Sequence, residues 1–244
     1  MFRRILGFIL SPVHHLFFLL FLIIFQPIQW LSLKLGGYKA HKTSVDCLNF
    51  FLVATYYILG LSVTFNDNKN LPLGKSIIFI ANHQSMYDVP ALIWFLRKYH
   101  AKFISKIELT KNIPSISFNL KNGGGANINR NDARQSITEL LKLGERMRDN
   151  NWSAVIFPEG TRAKNGVLKD FQAAGVATLL KKVPDALVVP VVISNSWKVV
   201  KFSTFWLMPG YHLSFKILDA IDTKSKNISI IIDEVKAELQ KNLK

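Results

Sequence analysis

The chain has 244 residues, 49% hydrophobic and only 19% charged, which excludes a disordered tail, a collagen-like repeat and a coiled coil, and leaves one sizeable core or two small domains. Its 31 Lys and Arg against 16 Asp and Glu leave a net charge of +15, a surface that attracts nucleic acid, anionic lipid or phosphorylated substrates. The single cysteine, Cys47, excludes an internal disulfide framework and a multi-cysteine metal site, and a mean hydropathy of +0.19 points to membrane contact.

The apolar excess lies at the N-terminus. Val13 to Gln26 reads VHHLFFLLFLIIFQ between Pro12 and Pro27, and proline placement predicts a helix bounded by the two. Such a helix reaches ~21 Å, short of the ~30 Å hydrocarbon core. A second apolar run, Cys47 to Phe65, has nearly spanning length but is diluted by Asn49, Thr55, Gly60 and Ser62. Arg3 and Arg4 precede the first run, and Lys34, Lys39 and Lys42 lie between the two. If both runs spanned, these cations would sit on opposite sides, against the positive-inside tendency. A two-helix hairpin dipping into one leaflet keeps them on one face. The expectation is therefore a monotopic membrane anchor at residues 1–70, with an active site on the cytoplasmic face; two buried core helices are the alternative. No A-x-A-like cleavage site marks a signal peptide.

From Leu71 onward the composition is globular, which sets a second unit at 71–244. Apolar runs at Ser76–Ala81, Trp152–Phe157 and Ala186–Ile193 predict buried strands, and Tyr211–Leu218 a further one. Asp132 to Asn150 carries Ile137, Leu140, Leu141, Leu143 and Met147 near a 3.6-residue period, and Phe171–Leu180 and Ile228–Leu243 also read as helices. Strands alternating with helices predict an α/β fold, with a mostly parallel central sheet flanked by helices and preceded by the N-terminal hairpin.

Three segments could carry chemistry. Asn82-His83-Gln84-Ser85-Met86-Tyr87-Asp88 follows an apolar strand, where reactive side chains of α/β sheets gather. Asp88 beside one imidazole nitrogen of His83 would fix its tautomer and leave the other nitrogen free to take a proton from a substrate hydroxyl; the spacing alone suits a satisfied loop histidine equally. Phe157-Pro158-Glu159-Gly160-Thr161-Arg162 also follows a strand, and offers an acceptor, a hydroxyl and a guanidinium fork suited to a phosphate monoester. A plain Glu159–Arg162 loop ion pair is the alternative. Gly123-Gly124-Gly125 with Arg130 ahead of a helix makes either an anion pocket or a flexible turn. Gly74-Lys75-Ser76 lacks the preceding glycine of a P-loop, and no G-x-S-x-G elbow occurs.

Taken together, these residues resemble the 1-acylglycerol-3-phosphate (lysophosphatidic acid) acyltransferase family. Asn82-His83 through Asp88 is similar to its N-H-x4-D block, Gly125 to Arg130 to its G-x-x-x-I-x-R block, and Phe157 to Arg162 is the full F-P-E-G-T-R block. Val189-Pro190-Val191 and Lys106-Ile107-Glu108-Leu109 resemble two further segments, in the family's order. The resemblance implies His83 as general base and Asp88 as its orienting partner. It also implies that Arg130, Glu159, Gly160, Thr161, Arg162 and Lys106 bind substrate, and that Pro190 shapes the fold or an acyl pocket. The acceptor would be a lysophospholipid, the donor acyl-CoA or acyl-carrier protein, with no metal and no permanently bound cofactor. Two positions depart from the pattern: Asn127, and the absence of a lysine ahead of Gly175. Both lie near the expected acceptor site, which leaves another lysophospholipid or a specialised lipid as alternative acceptor. A non-catalytic lipid-binding protein of the membrane surface is the rival outside enzymology. Dispersed basic residues without zinc-finger or RNP-like patterns argue against nucleic acid as partner.

Overall fold

The computed structural model describes residues 2–223 and 226–243. Helix α1, Phe2–Ala54, is two limbs joined at Gly37, whose φ of 64° is a left-handed conformation that glycine adopts without strain. The limbs fold back on each other: Leu22, Phe25, Leu48 and Leu52 form a small core of their own, and the rings of Phe21 and Phe51 stack at 4.9 Å. The hairpin expected from the charge pattern is therefore present, but its bounds differ. Pro12 and Pro27 do not end a helix; both lie inside the first limb, on its exposed face. A proline there costs one backbone bond and bends a long helix, and packing on the opposite face carries the helix through.

The second apolar run is also corrected. Its helix stops at Ala54, a 3-10 turn covers Thr55–Leu59, Gly60 takes φ 63°, and Ser62–Asn66 becomes strand β1. Ser-Val-Thr-Phe-Asn alternates with period two, and this strand pairs with the sheet edge instead of extending the anchor. The sheet thus begins at Ser62, inside the segment that composition alone assigns to the anchor. Val53, Tyr56, Leu59 and Leu61 are buried in the same core as sheet residues Phe79, Val189 and Phe215.

The remaining strands are β2 (Ile77–Ala81), β3 (Ala101–Lys106), β4 (Ala126–Ile128), β5 (Ser153–Ile156), β6 (Leu187–Ser194) and β7 (His212–Ile217). They form one seven-stranded sheet in the order β1-β7-β6-β2-β5-β3-β4, and every pair is parallel except β6 with β7. Successive residues of β2 divide between two cores. Ile77 and Phe79 pack toward helix α2 (Asp88–Phe95) and the base of the hairpin. Ile78 and Ile80 pack toward α4 (Ala133–Asn150), α5 (Ala173–Lys182) and α7 (Ile228–Asn242), with α3 (Ile116–Asn122) and α6 (Ser196–Val199) as short connectors. Both faces being covered is why these strands read as unbroken apolar runs.

Strands β1, β3 and β4 were not predicted. β3 reads AKFISK, yet its Lys102 is buried, with Nζ 4.8 Å from the Tyr38 ring centroid and 4.5 Å from that of Trp152. Burial, with the Lys42 charge adding, pulls this ammonium down to about 7. Pro190 sits inside β6 because the ladder to β7 ends at Val191↔Ile217 and resumes only at Val188↔Ile221, a break that needs no amide from residue 190.

Candidate active site

Parallel pairing brings the carboxyl ends of β6, β2, β5, β3 and β4 to one sheet edge, where α/β folds place their ligand crevices. All the candidate segments emerge there. Past β2, the Asn82 amide bonds the Ile193 backbone in both directions, Nδ2 to O at 2.8 Å and N to Oδ1 at 2.7 Å, so the turn is pinned to β6 before the chemistry begins. Asp88 is fully buried in the first turn of α2. Its Oδ2 accepts from His83 Nδ1 at 2.9 Å and from the backbone N–H groups of Gln84 and Ser85 at 2.7 and 2.8 Å. Its Oδ1 accepts from the Ser196 hydroxyl. A carboxylate held by so many donors cannot swing away from the imidazole.

Because the Asp88 carboxylate accepts, Nδ1 of His83 carries a hydrogen, and in the neutral ring the lone pair is then on Nε2. The ring stacks on Phe157 with centroids 4.2 Å apart, and its side chain is 16% exposed. Its Nε2 has no hydrogen-bond partner among the described residues, and no serine or cysteine side chain bonds it there.

The F-P-E-G-T-R loop leaves β5 and turns sharply. The Gly160 N–H reaches the Phe157 carbonyl at 3.1 Å, Gly160 takes φ 66°, and a Cβ there would come 3.1 Å from the Gln172 amide. Glu159 is held differently from its exposed neighbours Thr161 and Arg162. It is 4% exposed, with Oε1 accepting from His83 N at 2.7 Å and Oε2 from Lys169 N at 3.0 Å. It therefore braces the two loops against each other. Burial raises its carboxyl above the usual range, and the two backbone donors oppose that rise.

The cationic residues stand at the mouth. Thr161, Arg162, Arg130 and Lys106 are exposed, the last at the end of β3 opposite Ile128. Partial burial lowers the Arg130 guanidinium from its usual value; the Arg162 charge pushes the same way and Glu108 opposes it. Two guanidinium groups near enough to feel each other's charge, neither in a salt bridge among the described residues, suit an anionic group such as a phosphate. Lys169 joins them, its Nζ reaching Thr161 Oγ1 at 2.6 Å. Asn127 lies on β4 with Nδ2 tied to the Leu120 carbonyl at 2.7 Å, so it shapes the strand below this mouth.

A family model described as Acyltransferase matches residues 62–194, more than half of the chain and the whole of this edge. The chain belongs to the Acyltransferase family. It is 30% identical over 197 residues to the human 1-acyl-sn-glycerol-3-phosphate acyltransferase beta, covering 78% of this chain and 66% of that one. It is 34% identical over 125 residues to the 1-acyl-sn-glycerol-3-phosphate acyltransferase of Helicobacter pylori, half of each chain. The chloroplast relative LPAT1 of Arabidopsis thaliana is matched over 36% of its length, so the chain spans from about a third to two thirds of these first relatives. The crystal structure of the 1-acyl-sn-glycerophosphate (LPA) acyltransferase PlsC from Thermotoga maritima shares the fold, with a TM-score of 0.82 at 20% identity over 99% of this chain and 96% of that one.

The family blocks thus meet at one sheet edge. His83 and Asp88 touch, Gly160 supplies the turn, and Arg130, Thr161, Arg162 and Lys106 are exposed on the segments leaving that edge, whereas Glu159 is buried. Local sequence pattern points to neither Ser196 nor Lys169, and it offers Phe157 only as part of its block. Ser196 lies 108 positions beyond Asp88 and bonds it only because β6 returns beside β2, which no local pattern reveals. Ser196→Ala is expected to lower kcat by about tenfold, the effect of one hydrogen bond to a charged group at ~1.5 kcal/mol. The acceptor KM should stay unchanged; a shift confined to KM would place Ser196 in binding.

Proposed function

We propose that this chain transfers a fatty acyl group from acyl-CoA or acyl-carrier protein to the free hydroxyl of 1-acylglycerol-3-phosphate, giving phosphatidic acid. The observation that carries the reading is the His83 Nδ1–Asp88 contact at 2.9 Å, which leaves Nε2 without a partner among the described residues, on a loop whose His83 carbonyl accepts from Ala163 N–H, next to Arg162, at 2.7 Å. The phosphate of the acceptor binds at Arg130 and Arg162, bringing its hydroxyl toward Nε2. That nitrogen takes the proton as the hydroxyl oxygen bonds the thioester carbonyl carbon. The carbon–sulfur bond then breaks, and the proton passes from His83 to the departing thiolate. No protein side chain is acylated. The relatives' names support the acceptor assignment.

The same reading makes the protein monotopic, with its site at the cytoplasmic face of a bilayer. The first limb of α1 is long and apolar enough to cross a membrane by length and composition, and Leu16, Leu19, Leu20, Ile23 and Ile24 are exposed along it. Yet the α/β unit holds it from end to end. Leu207 N–H bonds Ser11 near its start, Ser115 Oγ donates to the Leu22 carbonyl midway, and Tyr38 OH meets His100 Nε2 just past its end. A helix fastened lengthwise to a domain supports lying in one leaflet rather than crossing it.

Thiol release from an acyl-CoA, with and without lysophosphatidic acid, tests the reaction. Acceptor-dependent release is the expected result. No release from acyl-CoA or acyl-carrier protein with any lysophospholipid would overturn it in favour of lipid binding. Arg162→Ala should raise the acceptor KM by about tenfold or more while leaving the donor KM within a factor of ~2, the loss expected for one charge-assisted phosphate contact. Equal effects on both would move Arg162 out of the acceptor site.

A further inference from the structure

The segment between α6 and β7 exposes three aromatic side chains in five residues: Phe202 at 55%, Phe205 at 51% and Trp206 at 41%. The loop bearing them is built in, not adrift. Leu207 is buried and its N–H bonds Ser11 Oγ at 2.8 Å, while the Ser203 hydroxyl receives the Phe205 and Trp206 amides at 3.0 and 3.2 Å. Gly7 makes the approach possible, since a Cβ there would fall 2.3 Å from the Leu207 carbonyl oxygen. The aromatics consequently flank the first turns of α1: Trp206 meets Phe8 edge-on at 4.9 Å, and Phe205 stacks on His15 at 5.1 Å.

Charge follows the same pattern. No Asp or Glu occurs between Asp185 and Asp219, or anywhere before Asp46. Arg4 lies 4.1 Å over the Phe202 ring, Arg3 5.1 Å over Tyr211, and Lys201 5.6 Å from Phe202. Half-exposed aromatics interleaved with uncompensated cations are the composition of a membrane–water interface, where rings sit among headgroups and cations meet lipid phosphates. The patch is also continuous with the exposed apolar residues Ile5, Phe8 and Ile9 of the hairpin.

We propose that the 202–206 loop is a second membrane-seating element, which inserts its aromatic side chains into the headgroup region of an anionic lipid bilayer beside the first limb of α1. The proposal rests on the membrane reading above and extends it. Two points of attachment fix the roll of the molecule on the surface, which a single hairpin does not. The loop follows α6 directly, and its Met208 N–H bonds the Val199 carbonyl at 2.8 Å, so its seating bears on the helix whose first residue, Ser196, holds Asp88.

The test uses the full chain in a Cys47→Ser background, with an environment-sensitive fluorophore on Thr204→Cys in the loop, Leu20→Cys on the hairpin or Lys142→Cys on α4. Each protein is bound to phosphatidylglycerol-containing vesicles carrying a shallow spin-labelled lipid. The expected result is loss of most emission, with a blue shift, at Thr204→Cys and little change at Lys142→Cys. Quenching at Leu20→Cys but not at Thr204→Cys would overturn the proposal and leave the hairpin anchor standing, as if the patch faced a protein or a second copy. Quenching at neither would overturn the membrane reading and the proposal with it. Equal quenching at all three positions would show unspecific adsorption and also overturn it.

Discussion

His83→Ala is expected to lower kcat by about 10²–10⁴-fold, the range for removal of a positioned general base, with little change in the acceptor KM. The reason is geometric. Asp88 holds Nδ1 at 2.9 Å, the ring rests on Phe157, and nothing else at this edge offers a neutral nitrogen to a substrate hydroxyl among the described residues. The fold should survive the change. Gln84 N, Ser85 N and Ser196 Oγ still donate to Asp88, and the backbone N–H of residue 83, which reaches Glu159, does not depend on the side chain. Steady-state kinetics together with a thermal melt check both halves. A variant that kept near-normal turnover would remove His83 from the mechanism, and one that melted early would assign it to structure.

Glu159→Gln should cost ~1–3 kcal/mol of stability and much of the activity. In the native loop pair each carboxylate oxygen accepts one backbone N–H, from His83 at 2.7 Å and from Lys169 at 3.0 Å, in a setting only 4% exposed. An amide has one oxygen and one NH2, so one of those buried N–H groups would face a donor whichever way the side chain turned. The base loop and the F-P-E-G-T-R loop would then separate. The measurement is a denaturant titration paired with kcat. If Glu159 contacted substrate through an open oxygen, as the resemblance implies, the variant would keep its stability and change only KM.

Much of this site is legible in the sequence. His83 and Asp88 are five residues apart behind an apolar strand, and Pro158 and Gly160 mark a turn behind another, so the identities and local geometry of both loops follow from short-range rules. Roles that depend on long-range neighbours did not follow. Glu159 and Arg162 lie three positions apart, yet one is buried between the loops and the other is exposed, a difference set by how β5 meets β2. Pro12 and Pro27 misled for a related reason: local propensity marks them as helix ends, and the packing of a long helix along a domain overrides it.

The α/β class, four of the seven strands, the three longest helices of the α/β unit and the N-terminal hairpin are written in hydrophobic period and charge placement, and His83 and Asp88 are singled out by their spacing taken together with the family resemblance. Only the tertiary structure decided that Ser62–Asn66 is a sheet edge, that Ser196 holds Asp88, that Glu159 is a brace and that an aromatic loop lies against the first turns of the hairpin. Each of these is a contact between segments distant in sequence. Its energy arises from burial and hydrogen bonding that exist only once the sheet order brings the partners together.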